Sequence, residues 1–373
     1  MFSVKKISII TVGTMAIGLG SVKPVSAASL YEVVGLNFTP TDINNSSQVV
    51  GANYLWENGN VTDLTTLPGG NNFSSIEATA INNNGTIVGD GRSSSGTEGF
   101  ISNGSNISAL ILDCETFCNN SDNRSVRDIN DFETVGIVIA ADSDLFGVTV
   151  DRNGTGYGVI GAISAVNNRG QIASTVSSGR SGTNGILSED LGQGDFEGIF
   201  LIPAASAFGP LPSQPSDRSR ASDLDDNGNV VGASLVIPSL SLENTLKQAT
   251  LWKDPTQPGV SLGTLGGQES EALGINNLMQ VVGSSFLEDD STQHAFLWED
   301  GNLIDLNSLV DPGIGWELTS AFEINNNGDI IGIGNFNGEQ RGFIAKAVPE
   351  PTSVLGVLGL GLFGLSNWRK RKK

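Results

Sequence analysis

One short run of acidic and amide side chains has the spacing of a calcium-binding loop. Asp223, Asp225 and Asn227 alternate along the chain and Gly228 follows them, which is the opening of a D-x-D-x-N-G loop. Alternating oxygen ligands around a sharp glycine turn suit Ca²⁺. The twelfth position holds Ser234, so the bidentate glutamate of an EF-hand is missing. We expect no cofactor; Ca²⁺ held by these three residues is the one candidate, and the competing interpretation is a repeat turn that has become acidic.

The two cysteines of the chain, Cys114 and Cys118, are separated by three residues. An oxidising compartment would permit a disulfide between them, and two free thiols are the alternative. Such a small ring would add little stability. The spacing differs from the two-residue redox motif, and two cysteines cannot build a cysteine-rich zinc module.

The only histidine, His294, has no catalytic partner in the sequence around it. A catalytic histidine needs a nucleophile and a group that orients its ring, and the chain contains no nucleophile elbow, P-loop or HExxH motif. These residues predict a protein without enzymatic activity. Trp56, Trp252 and Trp298 share one position of a repeated phrase, where we expect core packing; stacking on sugars is the alternative.

Those tryptophans belong to a chain that is organised as a repeat. The recurring phrase runs Ile-Asn-Asn, three turn residues, and Val-Val-Gly, and the third copy is one residue shorter. Its seven copies begin 38, 48, 37, 58, 51 and 49 residues apart, at Ile43, Ile81, Ile129, Val166, Leu224, Ile275 and Ile324. Repeats of this length are typical of propellers or solenoids.

Each repeat predicts a small antiparallel meander. A second phrase follows the first, and its copies at 55–64 and 297–306 contain Asn58-Gly59 and Asp300-Gly301. Such pairs favour two-residue hairpins, because both central positions of a type I′ turn require a positive φ. With the Asn-rich turn, this gives about four strands in about 46 residues, and no stretch of 28–348 has a helical period.

The ends of the repeat region predict a closed ring. The last repeat stops after Gly342-Phe343-Ile344-Ala345 and lacks its fourth strand, whereas a strand at 30–36 precedes the first Asn turn. Pairing that strand with the last repeat would remove both open edges. The fold predicted is an all-β propeller of seven four-stranded blades closed by the N-terminal strand. A β-sandwich or β-solenoid is the alternative.

The phrase His294-Ala295-Phe296-Leu297-Trp298, with its Asn-Asn and Asp-Leu neighbours, resembles the extracellular HAF-family repeat. The resemblance spans most of 31–346 but weakens over 140–222, where Ala173-Ser174 replaces Val-Gly. It implies an exported repeat protein and assigns no catalytic residue.

The N-terminus predicts a secretory signal peptide over residues 1–27. Lys5 and Lys6 precede an apolar run of about 14 residues, which is shorter than the ~20 that span a bilayer. Small residues close the segment, so we expect signal peptidase to cut between Ala27 and Ala28. An uncleaved membrane anchor is the alternative.

The C-terminus predicts a second processed segment over residues 349–373. Pro349-Glu350-Pro351 is followed by the apolar stretch 354–365 and by five basic residues, 369–373. Both prolines fix φ, so the tripeptide is stiff and extended. The tail resembles the PEP-CTERM sorting signal, the substrate of exosortase membrane peptidases. That resemblance implies a Gram-negative-type envelope, transient anchoring in the inner membrane, and cleavage near the tripeptide before release or surface attachment. A permanent tail anchor is the alternative.

Composition narrows the function of the segment between, 28–348. It holds 12 basic and 39 acidic residues, a net charge of 12 − 39 = −27. Such a surface does not bind nucleic acid, because phosphate contacts require Lys and Arg. We expect a non-enzymatic surface or matrix component that binds exopolysaccharide or another envelope partner in a biofilm. A secreted propeller hydrolase or lyase acting on extracellular polysaccharide is the alternative.

Overall fold

A computed structural model describes residues 30–94, 96–110, 123–141, 144–151, 155–159, 161–177, 183–190, 196–201, 219–236 and 246–348 of the chain. These residues form seven four-stranded antiparallel sheets, the blades of a β-propeller. The predicted fold class and blade number are therefore confirmed.

In six blades the four strands follow one another in chain order from the inner strand outward. Blade 1 has β2 (Asp42–Ile43), β3 (Val49–Gly51), β4 (Tyr54–Glu57) and β5 (Asn60–Asp63). Blade 2 has β6 (Ser75–Ile81), β7 (Ile87–Ser93), β8 (Gly96–Ser102) and β9 (Ile107–Ala109). Blade 3 has β10 (Asn123–Ile129), β11 (Val135–Ala141), β12 (Asp144–Val150) and β13 (Gly156–Val159). Blade 4 has β14 (Ala162–Val166), β15 (Ile172–Ser177), β16 (Thr183–Asp190) and β17 (Phe196–Phe200). Blade 5 has β18 (Ser219–Leu224), β19 (Val230–Val236), β20 (Leu246–Trp252) and β21 (Val260–Gly263). Blade 6 has β22 (Gly266–Ile275), β23 (Val281–Leu287), β24 (Gln293–Glu299) and β25 (Asn302–Asp305).

Blade 7 joins the two ends of the described chain. It consists of β26 (Trp316–Ile324), β27 (Ile330–Phe336), β28 (Glu339–Ala347) and, outermost, β1 (Tyr31–Leu36). Strand β1 pairs antiparallel with β28 from Tyr31↔Ala347 to Leu36↔Gly342. The predicted closure by the N-terminal strand is thus confirmed, and it satisfies the edge that β28 would otherwise expose.

The predicted turns also form. Asn58 and Gly59 have φ of 50° and 85°, and Asp300 and Gly301 have 50° and 83°, as a type I′ hairpin requires. The only helical segments among the described residues are short 3₁₀ turns that follow outer strands, at Leu64–Thr66, Gly70–Asn72, Leu306–Leu309 and Pro312–Ile314.

A bulge in the inner strands aims two consecutive side chains at the propeller axis. The register of β6, β10, β14, β18, β22 and β26 shifts two to three residues before the Asn turn. The glycine of Val-Val-Gly makes room for this bend, since a Cβ on Gly232 would lie 1.9 Å from the carbonyl oxygen of Arg220. A bulge re-aims side chains in this way, and here it places paired residues around a central channel.

The hydrophobic core lies between neighbouring blades. One cluster, for example, joins Leu251 of blade 5 to Ile275 and Phe296 of blade 6. Trp56 and Trp252 are buried and Trp298 is half-buried. This burial supports the core role predicted for the tryptophans over a sugar-binding surface.

Candidate functional site: the central channel

Two rings of Asn and Asp side chains surround one end of the channel, which we call the Asn-turn face. In the first ring, the Oδ1 atom of each leading residue accepts two backbone N–H groups of its own turn, as Asn82 does from Asn84 and Thr86 at 3.1 and 2.9 Å. Its Nδ2 atom donates to the leading residue of the next blade. Six such bonds of 2.9–3.1 Å come from Asn44, Asn82, Asn130, Asn167, Asn276 and Asn325.

The seventh leading residue is an aspartate, and it interrupts this ring. Asp225 has no amide to donate to blade 6. Its Oδ1 atom caps its own turn, and its Oδ2 atom accepts the side-chain amides of Asn227 and Asn229 at 3.2 and 2.7 Å. The neighbouring amides therefore compensate for the substitution within blade 5.

The second ring is complete. In every blade the backbone N–H of the second turn residue donates to a side-chain Oδ1 atom of the next blade, over 2.8–2.9 Å. The seven members are Asn45, Asn83, Asp131, Asn168, Asp226, Asn277 and Asn326. The Asn-Asn pair of the repeat thus both folds its own turn and joins adjacent blades.

Four carboxyl groups line the channel one step deeper, in the odd-numbered blades, of which blades 7 and 1 are neighbours in the ring. Asp42, Asp128, Asp223 and Glu323 each precede the last residue of the inner strand in blades 1, 3, 5 and 7. Blades 2, 4 and 6 place Ala80, Ala165 and Gly274 at this level. The carboxyls and the turn residues enclose a polar cavity of about 260 Å³.

Three of these carboxyls connect neighbouring blades. Asp42 accepts the N–H of Ile43 in its own strand and that of Ile81 in blade 2, both at 2.7 Å. Asp128 accepts the N–H of Val166 in blade 4 at 2.7 Å, and Asp223 accepts the N–H of Ile275 in blade 6 at 2.8 Å. Each carboxyl therefore joins its blade to the next one.

Burial raises the pKa of all four carboxyl groups. The four residues are half-buried, and the narrow channel walls remove most of the hydration of their carboxyl groups, so the charged form is disfavoured. Burial, with repulsion from Asp128, raises the pKa of Asp42 to about 7. Burial raises the pKa of Asp223 to about 8, against hydrogen bonds from Ile275 and Leu224 that lower it. The pKa of Asp128 and that of Glu323 are raised for the same reason.

Beyond the carboxyls the channel widens into what we call the chamber, a cavity of about 570 Å³. Inner strands run toward the Asn turns, so residues earlier in each strand lie farther from the Asn-turn face. The bulged residues and several residues just before them line this cavity, and they include Arg127, Arg220, Glu77 and Phe322. The chamber therefore occupies the half of the channel nearer the opposite face.

Both ends of the described chain lie at the Asn-turn face. The N–H of Ala347, at the end of β28, donates to Asp329 in the Asn turn of blade 7 at 3.0 Å. The N–H of Val348 donates to the carbonyl of Leu30 at 2.9 Å. The segment that follows Val348 therefore starts from this face.

The residues of the predicted Ca²⁺ loop do not converge on a common point. Asp223 points its carboxyl into the channel, whereas Asp225 accepts N–H groups with both oxygens. Among the described residues, no group of three or more His, Cys, Asp or Glu side chains could hold a metal ion. The calcium site stays a prediction, and its loop forms the fifth Asn turn.

His294 lies between two carboxylates. Its Nδ1 atom is 2.8 Å from Asp305 Oδ2, and its Nε2 atom is 3.6 Å from Glu317 Oε1 in blade 7. Both ring nitrogens therefore face acids rather than a nucleophile, and the ring connects blades 6 and 7.

Several predicted sites fall outside the described residues. These are the signal-peptidase site at Ala27 and Ala28, the cysteines Cys114 and Cys118, and the tripeptide Pro349, Glu350 and Pro351. Within the described part of the chain, no helix is long and apolar enough to span a membrane.

Sequence reasoning missed Asp42, Asp128, Glu323 and Arg127 and assigned Asp223 to a calcium loop instead of the channel, although the sequence contains a signal for the four acids. The residue before the Ile, Val or Leu of each Asn phrase runs Asp, Ala, Asp, Ala, Asp, Gly, Glu from the first copy to the seventh. An acid that alternates with a small residue in a ring of repeats predicts an inward-facing position.

A family comparison identifies the end of the chain. Residues 347–372 match the model of the PEP-CTERM protein-sorting motif. The chain ends in a PEP-CTERM sorting motif. The motif indicates an exported protein that an exosortase sorts to the cell surface, as the tail predicted. The HAF resemblance stays a prediction, and a comparison with curated proteins finds no match.

Comparison with solved structures finds other propellers at low identity. "YCF48 bound to D1 peptide" shares 13% identity with a TM-score of 0.49, over 86% of this chain and 97% of that one. Dipeptidyl peptidase 4 of Porphyromonas gingivalis shares 8% with a TM-score of 0.38, over 86% and 46%. A Trypanosoma rangeli sialidase shares 13% with a TM-score of 0.35, over 92% and 62%. At these scores the likenesses say nothing about activity.

Proposed function

We propose that this protein is a non-enzymatic binding or structural component of an extracellular polysaccharide matrix. The observation that carries the proposal is the relation between its sorting motif and its ring. The motif follows a chain end at the Asn-turn face, while the chamber lies toward the opposite face. A tail that tethers this propeller would leave the chamber directed away from the membrane.

The channel chemistry also favours binding over catalysis. The Asp carboxyls accept backbone N–H groups from two strands, which holds them in place as parts of the wall. The two ring nitrogens of His294 face the carboxylates of Asp305 and Glu317. A rigid, polar, pre-formed cavity with a few charged groups suits recognition of a polar ligand.

A secreted glycoside hydrolase or lyase is the second candidate, and the raised pKa values of Asp42 and Asp223 favour it. A carboxyl that keeps its proton near neutral pH can act as a general acid. A reducing-end assay on extracted exopolysaccharide separates the two: activity lost in Asp223→Asn and Asp42→Asn would establish the enzyme.

The binding proposal is tested with residues 28–348, the segment that contains every strand of the ring. We expect this protein to retain exopolysaccharide in a pull-down and to give glycan-array signals that the same protein after heat denaturation does not give. If the protein retains neither neutral nor charged polysaccharide, the proposal is wrong. Mass spectrometry of the native protein tests its processing, and a mature surface form that still ends in Lys373 would contradict cleavage near Pro349-Glu350-Pro351.

A further inference from the structure

The guanidinium group of Arg127 lines the chamber. Arg127 is the bulged residue of β10 and is exposed. Within the described residues no carboxylate lies within ion-pair distance of it, and its electrostatic contact is with Asp90. The segment 28–348 has 12 basic residues against 39 acidic ones. An exposed arginine that forms no salt bridge with a described residue, in so acidic a protein, points to an anionic ligand.

A second arginine lines the same cavity. The side chain of Arg220 is 63% exposed, and its Nη1 atom lies 3.6 Å from Glu271. Lys247 contacts the other oxygen of Glu271 at the shorter distance of 2.7 Å. Because Lys247 already pairs with this carboxylate, Arg220 is not needed to neutralise it and can turn to a ligand.

The rest of the wall suits a sugar. Thr41, Thr79 and Ser164 donate their hydroxyl protons to backbone carbonyls, so each oxygen keeps a lone pair for a sugar hydroxyl. Phe322 and Leu273 provide apolar surface. The Oγ atom of Ser222 is buried and has no hydrogen-bond partner among the described residues, although buried hydroxyls normally have one.

The size and charge of the cavity are compatible with an anionic sugar. Its volume of about 570 Å³ lies within the range of small-molecule pockets, ~300–1,000 Å³. Glu323 forms part of the floor, and burial raises the pKa of its carboxyl. The floor therefore carries less negative charge than its acidic residues would at a surface, which lowers repulsion of an anion.

We propose that the chamber binds a carboxylated sugar residue, a uronic acid at the end or on a branch of an extracellular polysaccharide, with Arg127 holding the carboxylate and Arg220 assisting. A guanidinium donates two parallel N–H bonds to the two oxygens of a carboxylate, and a neutral sugar has no such pair of charged acceptors. This inference rests on the proposed matrix-binding function and names its ligand and site.

The test measures binding of D-galacturonate trimer and of the neutral galactose trimer to residues 28–348 by calorimetry. We expect the uronate to bind and the neutral trimer to bind at least about tenfold more weakly, since a charge-assisted pair is lost. Arg127→Gln should weaken uronate binding by about tenfold and Arg127→Lys by less. Arg92→Gln, which changes an exposed arginine outside the chamber, should leave it within about twofold.

Thermal melts show that each variant is folded before its affinity is compared. Equal affinity for the two trimers, or an unchanged affinity in Arg127→Gln, would overturn the chamber assignment. If the protein retains exopolysaccharide in the pull-down while both trimers fail to bind, the chamber assignment is wrong and the matrix-binding function stands. If it retains no polysaccharide, the proposed function fails as well.

Discussion

The side-chain amide of Asn82 donates to the backbone carbonyl of Asn130 in the next blade at 3.0 Å. The Oδ1 atom of the same side chain caps its own turn. One asparagine side chain thus accepts the N–H groups of its own turn and links two blades. An aspartate could do only the first, as Asp225 shows where the ring of amides is interrupted.

We expect Asn82→Asp to lower the free energy of unfolding by about 2 kcal/mol, because a buried carbonyl loses its donor and faces a carboxylate. The double substitution with Thr86→Asn copies the Asp225–Asn229 pair and should recover part of the loss. Urea denaturation measures both, and Asn106→Asp at an exposed loop position is the control. A loss in the control equal to that of Asn82→Asp would contradict the role of the ring.

The channel carboxyls make stability depend on pH. A carboxyl whose pKa is raised by folding contributes stability that is fully present below the unfolded pKa of about 4 and is lost as pH rises through the folded pKa. Those folded values are about 7 for Asp42 and about 8 for Asp223. We expect the melting temperature to fall by at least about 3 °C between about pH 5 and 8.

Asp223→Asn should reduce this slope, whereas Asp300→Asn at an exposed hairpin turn should leave it unchanged. The lowered pKa of Asp63, caused by hydrogen bonding to Thr65, acts in the opposite direction and only at more acidic pH. A melting temperature that rises steadily from pH 5 to 8 in the unaltered protein would rule out the carboxyl contribution.

Removing the closing strand should destabilise the ring. Tyr31 and Leu36 of β1 are buried, and burial of two such side chains stabilises by about 3–6 kcal/mol. We expect residues 38–348 to melt lower than residues 28–348 and to self-associate through the free edge of β28. A synthetic peptide of residues 28–37 should restore the melting temperature, and the same peptide with Leu36→Asp should not. Equal stability of both chain lengths would show that closure by β1 contributes nothing.

The glycine opposite the bulge should not tolerate a side chain. A Cβ on Gly232 would lie 1.9 Å from the carbonyl oxygen of Arg220, so we expect Gly232→Ala to destabilise by about 3 kcal/mol. Ser174 occupies the equivalent register position in blade 4 and already carries a Cβ. Ser174→Ala is therefore the matched control, with a loss of about 1 kcal/mol. Comparable losses in thermal melts of the two variants would contradict the close approach.

The geometry of the acidic turn predicts no specific calcium effect. Both oxygens of Asp225 already accept N–H groups. We expect millimolar Ca²⁺ to leave the melting temperature unchanged. A rise that Asp225→Ala abolishes, and that Asp254→Ala on the exposed surface does not, would establish the predicted site instead.

The sequence alone determined the architecture of this protein. The period of Ile-Asn-Asn and Val-Val-Gly defined the blades, and the turn residues Asn58-Gly59 and Asp300-Gly301 set the hairpins. The missing last strand at one end and the extra strand at the other required closure. The repeat period and the turn residues are local patterns whose physical causes act within one repeat. Closure follows from the count of strands at the two ends of the chain.

Tertiary structure decided which side chains meet. The carboxyls of Asp42 and Asp223 lie far apart in the chain, and only the closed ring brings both to one channel and deprives both of water. The same closure places Arg127 in the wall of the chamber and brings both ends of the described chain to the Asn-turn face. Each of the seven nearly equivalent repeats specifies one blade. The channel forms only when blade 7 hydrogen-bonds to blade 1 and closes the ring.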